Sequence, residues 1–110
     1  MTIQHKQLAS GRWTTLTFFE QMAHVGSEVE RTIRWSSKGN RDYSEKAFDR
    51  SIELLDLTIQ DVKNKPKLRE LVRVREALAD YFCFDNQYQS SDDRWQRYFG
   101  AFTFAARSQF

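Results

Sequence analysis

Apolar residues recur at helical spacing in successive stretches of this chain. In the first, Phe18, Met22, Val25, Val29 and Ile33 lie 4, 3, 4 and 4 positions apart, the stripe of a helix that packs one face on a core. Thr17 with Glu20 fits a capping box at its start, although Thr14 or Thr15 would open the helix a turn earlier. Gly39, in "KGN", can take the left-handed conformation that closes it. The second stretch, "YSEKAFDRSIELLDLTIQDV", sets Phe48, Ile52, Leu55, Ile59 and Val62 on one face, widened by Ala47, Ser51 and Leu54. Asp42 with Glu45 makes its capping box. "KNKP" breaks it, because Pro66 is tolerated only within the first turn of the helix that follows.

The third stretch, "LRELVRVREALADYF", carries Leu68, Leu71, Val72, Leu78, Ala79 and Phe82 on one face, with Arg75 in the middle of it. The polar loop "DNQYQSSDD" then leads to Ser91 as an N-cap, and Asp92 and Asp93 complement the positive helix end. The fourth helix presents Trp95, Tyr98, Phe99, Phe102 and Ala106 together. No stretch alternates with period two, and the short joins force successive helices to run antiparallel. The expected fold is all-α, an antiparallel up-down-up-down four-helix bundle with helices over about 15–38, 43–62, 65–84 and 92–107. It forms a single domain over 14–110 behind a polar N-terminal arm, 1–13.

Composition adds bounds. A chain of 110 residues, 40% hydrophobic and 29% charged, is one ordinary globular domain. The N-terminus "MTIQHKQLASGRW" has no apolar signal region, and no 18 apolar residues run together, so a soluble, cytoplasmic protein without membrane contact is expected. The single Cys83, between Phe82 and Phe84, reads as a buried thiol in a reducing compartment, with no disulfide possible within one chain.

The runs "GSEVERTIRW", "KGNRDYSEKAFDRSIELLDLTIQD", "LVRVREALADYFCFDN" and "YFGAFTFAAR" resemble a family of small uncharacterised bacterial and archaeal helical proteins. That resemblance covers most of the chain and implies the helical fold and a prokaryotic setting, with no activity attached. In architecture, the short aromatic-rich bundle is similar to the proteins encoded in 23S rRNA intervening sequences and to the accessory proteins of diversity-generating retroelements. This second resemblance implies a ring-like homo-oligomer and, for the retroelement members, nucleic-acid binding. It rests on no motif matched residue by residue.

Candidate chemistry is sparse. His24 shares a helix edge with Glu20 and Glu28, but two-metal carboxylate bundles need Glu-x-x-His from paired helices, and no such spacing occurs. Solvated i,i+4 pairing explains the trio, and no metal or other cofactor is expected. There is no Gly-rich phosphate loop and no Ser-His-Asp set, so neither catalysis nor a small-molecule substrate is expected.

Charge and aromatic layout say more. A net charge of +2 requires any nucleic-acid role to come from a local patch. Antiparallel topology gathers Lys63, Lys65, Lys67, Arg69 and Arg107 at one end, with His5, Lys6 and Arg12 nearby, as a basic pole. A pole of solvated lysines is the plainer reading and phosphate binding the functional one. Nine Phe, four Tyr and three Trp exceed what the centre of such a bundle needs. Phe104 and Leu57 project away from the core faces of their helices, and Trp13, Trp35 and Phe110 sit near helix ends. Together they read as a second apolar surface, since interfaces enrich aromatic residues.

Arg75 falls within an apolar arc, where an unpaired guanidinium is costly. It can snorkel, pair with a carboxylate or face an anion pocket. A buried ion pair is the reading favoured here, with Glu28 or Asp56 as the partner. The functional expectation is a non-enzymatic interaction module that assembles with itself or a protein partner. The alternative is a nucleic-acid-binding accessory protein that uses the basic pole.

Overall fold

Helix α1 (Phe18–Ser37) begins at the capping box read from the sequence. Thr17 Oγ1 accepts from the Glu20 amide at 3.1 Å, and Glu20 Oε1 accepts from the Thr17 amide at 2.8 Å. The computed structural model describes residues 11–108. After α1 come α2 (Arg41–Gln60), a 3-10 helix (Val62–Lys67), α3 (Leu68–Cys83) and α4 (Asp92–Arg107). Gly39, at φ +76°, makes the turn between α1 and α2. The cap of α2 is Asn40, whose Oδ1 accepts from the Tyr43 amide at 3.1 Å. Helix α2 therefore starts two residues before the expected position, and Asp42 lies inside its first turn. Ser91 caps α4, its Oγ accepting from the Arg94 amide at 3.2 Å.

Contacts at both ends fix the topology. At one end Trp35 packs edge-on against Tyr43, and Ser44 Oγ donates to the Thr32 carbonyl at 3.0 Å, so α1 and α2 run antiparallel. Phe18 meets Phe102 edge-on at 5.6 Å, pairing the start of α1 with the end of α4. Phe48 and Phe82 join α2 to α3 at 5.6 Å. The Tyr81 hydroxyl donates to Asp92 at 2.6 Å and the Tyr98 hydroxyl to Glu70 at 2.7 Å, bridging α3 and α4. The four-helix bundle is up-down-up-down, as the joins required.

The core holds Met22, Val25, Val29, Leu54, Leu55, Leu71, Leu78, Trp95 and Phe99. Two placements depart from expectation. Trp13 is only 2% exposed and belongs to this core, so the bundle begins at or before it and the arm cannot extend to 13. Residues 1–10 lie outside those described.

Helix α3 is also rotated relative to its sequence stripe. Leu71, Val74, Ala77 and Leu78 face inward, while Leu68 and Val72 are 42% and 39% exposed. The hydrogen bonds of Glu70 and Tyr81 to α4 hold that side of α3 inward and roll the opposite edge out. Arg75 therefore sits at the rim between α2 and α3.

Candidate functional site

Arg75 Nε donates to Asp56 Oδ1 at 2.8 Å, but the two side chains are 43% and 39% exposed. The pair forms and is not buried, because the rotation of α3 lifts it to the surface. The Asp56 contact pushes the Arg75 guanidinium upward, against a smaller opposing effect of burial. Glu28 does not reach Arg75. It pairs along its own helix with Arg31 at 2.9 Å, since residues three apart are neighbours on a helix.

The aromatic residues expected on a second surface separate. Phe104 is 74% exposed on the outer side of α4. Trp13 is core, and Leu57 is partly buried against the core, so neither lies on an outer apolar surface with Phe104. Trp35 is half-buried between Tyr43 and the Lys38 ammonium, 5.2 Å above its ring. Phe110 lies outside the described residues. Phe84, 75% exposed just beyond α3, is an outward aromatic that the sequence reading passed over.

Lys63, Lys65, Lys67, Arg69 and Arg107 are all exposed. The ammonium of Lys67 lies 4.9 Å over the Phe18 ring, which packs on Phe102, so the 3-10 helix and the end of α4 share one pole. Lys63 is bonded to Asp61 and, at 3.2 Å, to the Thr14 carbonyl, which withdraws it from that pole's free charge. Among the described residues no carboxylate pairs with Lys65, Arg69 or Arg107.

Beneath the pole lies a buried polar network. Gln21 Nε2 donates to Asp61 Oδ2 at 2.8 Å and to the Trp13 carbonyl at 3.0 Å. Asn64 Nδ2 donates to Gln21 Oε1 at 2.8 Å and to the Thr58 carbonyl at 2.9 Å. The Trp13 indole N–H donates to Thr58 Oγ1 at 3.2 Å. Burial alone would raise the Asp61 carboxyl, but hydrogen bonds from Lys63 and Gln21 outweigh it and hold the group below its ordinary value. Gln21 and Thr58 were visible in the sequence as polar residues at core positions. Their joining to Asp61 depends on how the 3-10 helix turns back.

Two grooves open between helices. One, of about 400 Å³ between α1 and α4, is lined by Ser27, Arg31, Arg34, Trp95, Gln96 and Gly100 among others. Its arginines are engaged, Arg31 by Glu28 and Arg34 by Glu30 at 3.9 Å, so it holds little free charge. The other, of about 780 Å³, lies among α1, α2 and the end of α3. Phe48 and Phe82 are apolar in it, Glu45, Asp49, Arg41 and Cys83 are its ionisable groups, and Thr32, Ser36 and Ser44 add hydroxyls.

Cys83 is exposed, against the buried thiol expected, because the helix ends there and Phe84 turns outward. Partial burial, then Asp49 and Glu45, push its thiol up and leave it a poor nucleophile.

His24 is exposed, its ring 5.7 Å from that of Trp13. Among the described residues no group of three or more His, Cys, Asp or Glu is placed to hold a metal ion, and no helix is long and apolar enough to cross a membrane. Compared with known protein families, curated proteins and solved structures, the chain matches none of them.

Proposed function

We propose that this protein is a non-enzymatic assembly module that associates with itself through outward aromatic side chains, chiefly Phe104. The observation that carries the reading is the 74% exposure of Phe104 on α4, while Phe99 and Phe102 of the same helix pack inward. A large side chain left in water is a loss that burial in an interface recovers, at about 25 cal/mol per Å² of apolar area. The ring-forming bundles this chain resembles in architecture are consistent with the reading. Phe104→Glu is the test. It should convert a multimer at micromolar concentration to a monomer by light scattering, with helix content unchanged. A native protein that runs as a monomer, or a variant that stays assembled, overturns the reading.

A second reading, nucleic-acid binding at the basic pole, is favoured by the absence of ion-pair partners for Lys65, Arg69 and Arg107 among the described residues. It is narrower than five cations suggest, because Lys63 is held by Asp61. Replacing Lys65, Arg69 and Arg107 by Gln should weaken RNA or DNA binding and flatten its salt dependence. Lack of binding by the native protein at low salt overturns it.

A further inference from the structure

The groove floored by Phe48 and Phe82 carries two carboxylates on one wall. Glu45 and Asp49 lie one turn apart on α2, both exposed, and no cation of the described residues pairs with either. Both line the groove together with Cys83, whose thiol partial burial and then their charge push up. Arg41 offsets part of that charge at the end where α2 begins. With about 780 Å³ between helices, the groove is large enough to take a short segment of chain.

The complementary chemistry is present at the other end of the same molecule. The 3-10 helix exposes Val62 at 77%, the most exposed large hydrophobic residue described, beside Lys63, Lys65 and Lys67. Lys63 and Lys67 are engaged within the molecule, and Lys65 projects free. Along α2, Glu45, Phe48 and Asp49 lie 13 to 17 residues before Val62, about 20–25 Å at 1.5 Å per residue. A molecule therefore cannot place its own segment in its own groove.

We propose that the groove receives the segment Val62–Lys67 of a second copy of this chain, with Val62 on the Phe48–Phe82 floor and Lys65 between Glu45 and Asp49. The proposal rests on the assembly reading above and supplies that assembly with a second, polar contact distinct from Phe104. The contact is head-to-tail, so repetition closes a ring or extends a filament.

A charge-exchange experiment by sedimentation at about 50 mM and about 500 mM salt tests it, because screening at high salt weakens exposed ion pairs. One variant carries Lys65→Glu, the other Glu45→Lys with Asp49→Lys, all at exposed positions where folding can be verified by circular dichroism. Each alone should associate at least tenfold more weakly than the native protein at low salt. An equimolar mixture should regain association, since each copy then offers the groove or segment its neighbour needs. Salt should reduce assembly of the native protein.

If both charge variants assemble as the native protein does and only Phe104→Glu dissociates, the groove contact is overturned and the assembly reading stands. If the charge variants dissociate and Phe104→Glu does not, the groove contact stands and Phe104 is not the interface. Failure of the mixture to regain association overturns the pairing of groove with segment. A synthetic Val-Lys-Asn-Lys-Pro-Lys peptide should compete with assembly. Equal competition by a peptide with Ala for Val shows general cation binding and overturns the role of Val62.

Discussion

The ring of Phe99 lies directly across Gly26, so that a Cβ added to Gly26 would fall 2.6 Å from the Phe99 Cβ. Here α4 packs tightly against α1, with Trp95 and Phe99 both in the core. Gly26→Ala would gain about 1 kcal/mol of helix propensity. The clash is with the base of the Phe99 side chain, which cannot swing aside, and overpacking of this kind typically costs about 1–3 kcal/mol. Overpacking should win, giving net destabilisation in urea unfolding. Alanine keeps the clashing Cβ, so Phe99→Ala should leave most of the penalty, while Phe99→Gly should make Gly26→Ala neutral or stabilising in the double variant.

The Arg75–Asp56 pair separates what was legible in the sequence from what was not. That a carboxylate partners Arg75 could be read from the chain, with Glu28 and Asp56 both open, and antiparallel α2 and α3 bring Asp56 opposite it. The burial could not, because Val74, Ala77 and Tyr81 turn α3 by part of a turn and no single-helix pattern records that rotation. The bundle, the Thr17 and Ser91 caps and the Gly39 turn were legible because each depends on residues within a few positions of one another. The Phe48–Phe82 groove and the Asp61 network were not, since each exists only once several helices have been placed. A pair this exposed should contribute less than about 1 kcal/mol. Arg75→Met should therefore shift the urea midpoint only slightly, and adding Asp56→Leu should change little more. A loss of several kcal/mol would show the pair to be shielded in solution.

Acid should act through Asp61. Its carboxyl is held below the ordinary value of 3.8, so its contribution to stability is fully present above that pH and is lost as pH falls through the depressed folded value. Asp61→Asn keeps the shape but removes the charge that Lys63 and Gln21 bond. It should cost about 1–3 kcal/mol at neutral pH. The difference between native and variant proteins should shrink as pH drops below about 4. Urea midpoints measured from pH 7 to pH 2 check both the size and the direction.

Cys83 should react slowly for an exposed thiol. Its pKa is raised by partial burial and by Asp49 and Glu45, so little thiolate is present near neutral pH. Iodoacetamide labelling at neutral pH should be slower than for a free cysteine and faster in Asp49→Asn with Glu45→Gln. Equal rates in the two proteins would mean the carboxylates do not act on the thiol.

Trp13 tests whether the segment before α1 is part of the folded unit. Its ring is buried to 2% exposure, and its indole N–H donates to Thr58, whose hydroxyl in turn donates to the Leu54 carbonyl at 2.8 Å. Truncation to Ala removes both the apolar contact and the tie to α2, and buried Trp→Ala changes typically cost about 3–5 kcal/mol. Trp13→Phe keeps most of the burial and gives up the hydrogen bond, worth about 1 kcal/mol, together with some packing volume. Thr58→Val removes the acceptor while leaving the indole N–H stranded. In a cycle of Trp13→Phe, Thr58→Val and the double variant, the second change should therefore cost less once the first is present. The unfolding free energies of the four proteins measure that coupling. Simple additivity would mean that the hydrogen bond contributes nothing in solution, and that Trp13 is held by packing alone.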